Sequence, residues 1–255
     1  MPSRFRRLLA LTAVLALSSV AGLARAEVVQ VAVAANFTEP AKALAAVFEK
    51  TTGHQAKLSF GATGAFYSQI KNGAPFDVLL AADDERPKRL EAEGDAVPGS
   101  RFTYAVGQLV LWSAKPGFVD GKGQVLKNGQ FNKLSIANPK NAPYGAAAVQ
   151  AMEKMGLTAP LQPKLVTGES IGQAYNFIAT GNAELGFVAM SQVLQGGELK
   201  SGSMWVVPAA LHDPIVQDAI ILKRAAGNPA AQAWMALLRS PETKTFIRGF
   251  GYSTP

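Results

Sequence analysis

From Glu27 onward the chain alternates short aliphatic runs with longer amphipathic stretches. Val28, Val29, Val31 and Val33, separated by small residues, predict a buried strand that stops at Ala34-Ala35-Asn36. A helix follows at once, with Thr38 as its N-cap, Pro40 in the first turn, Leu44, Val47 and Phe48 on one face and Gly53 at its end. The unit then repeats. Residues 55–60 predict a strand, Gly61-Ala62-Thr63-Gly64 a tight loop, 65–72 a helix with Phe66 and Ile70 inward, and 76–81 a third strand. Strands alternating with helices predict an α/β fold with a mainly parallel sheet.

Beyond Ala105 the rhythm changes. Residues 108–113 predict a strand, and the Gly-rich polar segment 116–129 is a candidate domain boundary. Strands at 134–137, 164–166 and 185–189 then alternate with helices at 145–155 and 171–179. A late strand, 217–223, is placed to return to the first half, and helices at 230–238 and 244–250 close the chain. The expectation is two α/β lobes joined by two crossovers, residues 27–107 with 213–255 forming one and 108–212 the other.

Composition narrows the class. A chain of 255 residues with 48% hydrophobic and 17% charged positions is globular, and the absence of cysteine excludes disulfide frameworks, thiolate nucleophiles and zinc-cysteine sites. The net charge of +7 points first to a nucleic-acid or membrane partner. Its source is local, however. Arg4, Arg6 and Arg7 precede the apolar stretch 8–23, and Ala24-Arg25-Ala26 has the small-x-small form of a secretory cleavage site. Removing residues 1–26 as a signal peptide takes four arginines away, leaving a mature charge of +3 and a chain starting at Glu27. No basic run or stacking motif remains for nucleic acid. Export to the periplasm is the expectation.

The sharpest enzyme motif is Gly168-Glu169-Ser170-Ile171-Gly172, a G-x-S-x-G between a strand and a helix. A hydrolase of this type needs an acid and then a histidine later in the chain; the only later histidine is His212, preceded after Ser170 by just Glu184 and Glu198, and none is in a recognisable setting. A capped helix start is the better reading of Ser170. His54 and His212 are isolated and read as surface or capping residues, Asp83-Asp84-Glu85 as an acidic helix start, and Trp112, Trp205 and Trp234 as core. No P-loop spacing is present.

What remains is a pattern of junctions. Ala35-Asn36, Ala62-Thr63-Gly64, Pro143-Tyr144-Gly145 and Ser170-Ile171 each join a strand to a helix with small or hydroxyl residues and no Lys or Arg. If the two halves face each other, these junctions converge where open α/β sheets bind ligands, each with unpaired N–H groups and the positive end of a helix dipole. Such a site fits a small anion held by neutral donors, and a reversible receptor rather than an enzyme.

Several segments carry a resemblance. Val31 to Thr38, Ser59-Phe60-Gly61-Ala62-Thr63-Gly64, Gly73-Ala74-Pro75-Phe76-Asp77-Val78, Ala81-Ala82-Asp83, Ile136-Ala137-Asn138-Pro139 through Pro143-Tyr144-Gly145, Leu185-Gly186-Phe187-Val188 and Gly249-Phe250-Gly251-Tyr252 resemble the periplasmic molybdate-binding proteins of ABC importers, in order and spacing over nearly all of residues 27–252. The resemblance implies a type II periplasmic binding fold that closes on molybdate or tungstate and delivers it to an inner-membrane permease, as a monomer, without cofactor or catalysis. It implies that Asn36 and Thr63 donate through side chain and backbone, with Ala35 adjacent, that Tyr144 donates from the second lobe, and that Ile171 does so through its backbone N–H. The metal is then held only through its oxygens, with no direct protein ligand. Ala189 stands where one branch of that family has a donating tyrosine, a role that would fall to Tyr144 here. Glu169, beside the site, is expected to turn outward. A receptor for another small solute on the same fold is the alternative.

Overall fold

A computed structural model describes residues 26–255, so all but the last residue of the inferred signal peptide lies outside the described residues. The first lobe opens with β1 (Val28–Ala34), α1 (Thr38–Thr52), β2 (Gln55–Gly61), α2 (Thr63–Lys71), β3 (Val78–Leu80), α3 (Glu85–Ala92) and β4 (Phe102–Gly107). The second runs through β5 (Leu109–Ser113), α4 (Val125–Asn128), β6 (Leu134–Ala137), α5 (Pro143–Lys154), α6 (Thr158–Leu161), β7 (Leu165–Gly168), α7 (Ile171–Ala179), β8 (Leu185–Ala189), α8 (Met190–Val193), a hairpin of β9 (Leu194–Gln195) and β10 (Glu198–Leu199), and β11 (Ser203–Val206). The chain then returns as β12 (Ile215–Ile221), followed by α9 (Pro229–Arg239) and α10 (Pro241–Arg248).

Two five-stranded sheets result, ordered β2-β1-β3-β12-β4 and β11-β5-β8-β6-β7. Both are mixed rather than mainly parallel. The β-α-β units pair in parallel, as the alternating pattern predicts, whereas β12 lies antiparallel to β3 and β4, and β5 antiparallel to β8 and β11. The antiparallel strands are those adjoining the passages between sheets, where no crossover helix is needed to reverse direction. One crossing is the step from Gly107 to Leu109, the other the segment between Val206 and Ile215. The C-terminal tail braces the first, since Val106 and Ser253 exchange backbone hydrogen bonds at 2.8 and 3.0 Å.

Local chemistry explains most element ends. Gly53 adopts a left-handed φ of 72° and closes α1 through an N–H bond to Glu49 O. Asn228 and Ser240 cap α9 and α10, each with proline at the first helical position. Three expectations need correction. Thr38 does not cap α1, because a 3-10 turn (Ala35–Phe37) winds directly off β1 and the Thr38 hydroxyl donates back to Ala35 O. Val47 is 45% exposed at the edge of the apolar stripe, whereas Leu44 and Phe48 are buried. Segment 116–129 is no boundary: Val119, Val125 and Leu126 pack with Phe131 and Trp205 in the core of the second lobe, and Val119 N–H donates to Ser203 Oγ. Its apolar residues follow neither a helical nor a strand period, so the segment reads as polar until the sheet beneath it is known. All three tryptophans are core, as expected.

Between β12 and β4 the register slips: consecutive Gln217 and Asp218 pair with Ala105 and Thr103, leaving Tyr104 as the extra residue of a bulge. Successive side chains in β12 point to opposite faces, so Asp218 leaves the cleft side to Gln217. Its fully buried carboxylate is met by Arg101 and by the Thr103 hydroxyl at 2.7 Å. Removing one partner of such a pair leaves an uncompensated buried charge. Arg101→Met is expected to cost about 2 to 4 kcal/mol in urea unfolding at neutral pH, partly recovered by adding Asp218→Asn. Unchanged stability would show that the carboxylate is adequately held without Arg101.

Candidate functional site

The four junctions named from sequence meet. Ala34, Ala35 and Asn36 at the end of β1, Gly61, Ala62 and Thr63 at the start of α2, Ala142, Pro143 and Tyr144 at the start of α5, and Ile171 at the start of α7 line one cavity of about 10 Å³, with Ala82. That volume is close to the least that admits one water. Two helix starts come from each sheet, so four dipoles point their positive ends inward. No charged side chain lines the cavity. An open groove of about 760 Å³, which includes Lys42, Lys200 and Glu39, shares only Ala35, Asn36 and the outer surface of the same seam.

The lobes touch through backbone. Gly64 N–H donates to Asn141 O across the seam at 2.9 Å, and Arg86 Nη2 donates to Lys140 O at 2.9 Å. A Cβ on Gly64 would lie 2.9 Å from Asn141 Cα, which explains glycine there without any appeal to φ. The Arg86 charge is matched by Asp83 on the same helix start, so it reaches the seam already paired.

Each donor's polarity follows from its partners. Ala82 N–H donates to Thr63 Oγ1 at 2.9 Å, occupying a lone pair and leaving the hydroxyl proton to be offered elsewhere. Tyr144 Oη accepts from Gln217 Nε2 at 3.0 Å, again leaving its proton to donate. Asn36 is used differently from the sequence expectation. Both Nδ2 protons go to protein acceptors, Gln217 Oε1 at 2.8 Å and Tyr252 Oη at 2.9 Å, while Oδ1 is buried without a partner. With its amide protons so engaged, Asn36 leaves the opening of a helix, Ala35–Phe37, whose first main-chain N–H groups have no intrahelical partner. Ser191 from the second lobe donates to Asn36 O at 2.8 Å, and Tyr252 Oη lies 2.9 Å from both.

The remaining candidates find plain roles. Ser170 Oγ accepts from Gln173 N–H as the N-cap of α7, and His212 is not a surface residue but buried at the second crossing, bonded to Asp213 O. Glu169 is exposed, as expected beside this site, and meets the Asn138 amide. Among the described residues no cluster of His, Asp and Glu could hold a metal ion. Sequence reasoning missed Gln217, Tyr252, Tyr104 and Ser191. The available signal was Gln217, an amide inside the otherwise aliphatic stretch that forms β12.

Residues 29–253 match the family described as bacterial extracellular solute-binding protein. The molybdate-binding protein ModA of Azotobacter vinelandii is 62% identical over 229 residues, 90% of this chain and 91% of that protein. ModA of Rhodobacter capsulatus is 56% identical over 246 residues, 96% of this chain and 94% of its own. The solved structure of the Azotobacter vinelandii periplasmic molybdate-binding protein superposes with a TM-score of 0.87 at 43% identity, covering 89% of this chain and 99% of that one. The two lobes thus form the type II fold of periplasmic binding proteins.

Burial pushes the Tyr104, Tyr144 and Tyr252 phenols well above the ordinary value of 10.0, so all three keep their protons. The unfolded chain releases those protons first, so the stability they confer is complete below pH 10.0 and is lost as pH rises above it. Ultraviolet titration should therefore show these three of the five tyrosines ionising only together with unfolding. Free ionisation of all five near pH 10.0 in the folded protein would contradict the burial described.

Proposed function

Because the chain belongs to the bacterial extracellular solute-binding protein family, we propose that it is a periplasmic receptor for molybdate and tungstate that delivers the oxyanion to an inner-membrane ABC permease. The observation that carries this is the meeting of four strand-to-helix junctions, two from each lobe, around one cavity without a charged side chain. In this reading the Thr63 and Tyr144 hydroxyls and the backbone N–H groups of Ala35, Asn36 and Ile171 donate to the oxygens of a tetrahedral dianion. The helix dipoles supply the opposing partial charge. The metal stays enclosed by its own oxygens. Ala189 is fully buried and does not line the cavity, and Tyr144 supplies the phenol donor.

A tetrahedral oxyanion is larger than a water, so entry requires the lobes to part, and the hinge falls at the two crossings. The lobes are then residues 27–107 with 213–255, and 108–212, working as a monomer after removal of the signal peptide. Selection follows from closure. Lobes that meet through fixed backbone contacts leave donors at a fixed spacing, and sulfate, being smaller, reaches fewer of them at once. No covalent step is involved, and Ser170 serves as a helix cap.

Thermal unfolding with each oxyanion tests this directly. Ligand at 100 times its dissociation constant adds about 2.7 kcal/mol when only the folded state binds, so molybdate and tungstate should raise the midpoint visibly and sulfate much less. No shift with either molybdate or tungstate overturns the assignment. Thr63→Ala should weaken molybdate binding by about 1.5 to 3 kcal/mol, as expected for a hydrogen bond to a charged group. Gly64→Ala should also weaken it, by holding the seam open, while leaving unliganded stability nearly intact.

A further inference from the structure

Gln217 is fully buried, yet it sits within the aliphatic strand β12. A carboxamide there is costly unless each of its atoms is matched. Its Oε1 accepts from Asn36 Nδ2 at 2.8 Å and lies 3.1 Å from Tyr104 Oη, whose proton is shared with Ala81 O, also at 3.1 Å. Its Nε2 donates to Tyr144 Oη at 3.0 Å. Asn36 and Tyr144 line the cavity from opposite lobes, whereas Gln217 stands behind them and does not line it. The fold makes room for this bridge: a Cβ on Gly107, at the first crossing, would fall 2.0 Å from Tyr144 Oη and 2.5 Å from Gln217 Nε2.

The direction of these bonds matters more than their number. Asn36 Nδ2 and the Tyr104 hydroxyl both face one end of the carboxamide, which is its Oε1. The other end is therefore Nε2, a donor, and a phenol that accepts from it has its single proton free for another acceptor. The opposite orientation would draw the Tyr144 proton away from the cavity and turn a lone pair toward an anion. We propose that Gln217 is a positioning residue that keeps the Tyr144 hydroxyl a donor to the oxyanion, and does so only when the second lobe closes onto the first. This rests on the receptor reading above.

Calorimetric titration of the mature protein with sodium molybdate tests it, using wild type, Q217E, Q217M, Y144F and the Q217M/Y144F pair, with unliganded unfolding midpoints read in parallel. Q217E keeps the shape but can only accept at neutral pH, so it claims the Tyr144 proton and sets a charge behind the cavity. It should bind about a hundredfold more weakly. Q217M should lose about tenfold, and that loss should fall below about threefold in the Y144F background, because the amide acts through the phenol. A Q217M loss that persists in full beside Y144F, or Q217E binding within about threefold of wild type, overturns the positioning role. A wild-type protein that binds no molybdate overturns the receptor reading instead, and the proposal with it.

Discussion

The structure depends on burying a set of neutral hydrogen-bonding groups between two lobes while leaving each with a defined partner. Asn36, Gln217, Tyr104, Tyr144, Ser191 and Tyr252 form one connected cluster, all buried. In such a low-dielectric seam an unmatched donor or acceptor costs more than a matched one contributes, so the arrangement of protons is as constrained as the arrangement of atoms. A lysine or arginine at the same point would bind many anions with little regard to their shape and would carry a heavy desolvation cost. Keeping the seam neutral makes geometry the discriminating variable. The guanidinium at the seam, Arg86, is paired with Asp83 and spends its other contact on a backbone carbonyl.

The backbone serves that constraint at several levels. β1 ends without a loop and winds straight into a 3-10 turn, which brings Ala35 and Asn36 to the cavity. The bulge at Tyr104 lets that phenol and Gln217 meet on one side of the sheet while Asp218 is satisfied by Arg101 and Thr103 on the other. Gly64 and Gly107 are small because backbone or a phenol approaches them, not because their dihedral angles demand it. Positions that look like flexible hinges in a sequence are here the places of closest contact.

Legibility in the sequence followed the range of the interaction. The strands and helices around Ala35-Asn36, Ala62-Thr63, Pro143-Tyr144 and Ser170-Ile171 were readable because aliphatic runs and helix starts are local signals, and the junctions between them followed directly. The resemblance of whole segments to a known family supplied roles that periodicity does not. The proton arrangement was not readable, since Asn36 reaches partners 181 and 216 residues away and nothing local says which amide atom faces which phenol. For the same reason the resemblance, which implies donation by the Asn36 side chain as well as its backbone, gives no hint that both amide protons go to protein acceptors. His212 and segment 116–129 were misread because each is buried by chain that arrives from elsewhere, and local polarity carries no record of that.

Closure is held by polar contacts that are individually modest, which bears on release as much as on capture. Among the described residues, polar contacts across the seam include Gly64 to Asn141, Arg86 to Lys140, Ser191 to Asn36 and to Tyr252, Gln217 to Tyr144, and Gln150 to Asp213 beside the second crossing, each a hydrogen bond of ordinary length. Bonds of this kind contribute about 1 kcal/mol each net of water. A seam built from them leaves the open and closed arrangements within reach of one another, so a ligand contacting both lobes can shift the balance by its own differential affinity. A large apolar interface would hold the lobes shut irrespective of cargo, and a charged one would close on any anion. Modest, mostly neutral hydrogen bonds leave the decision to a ligand that satisfies both halves of the site at once.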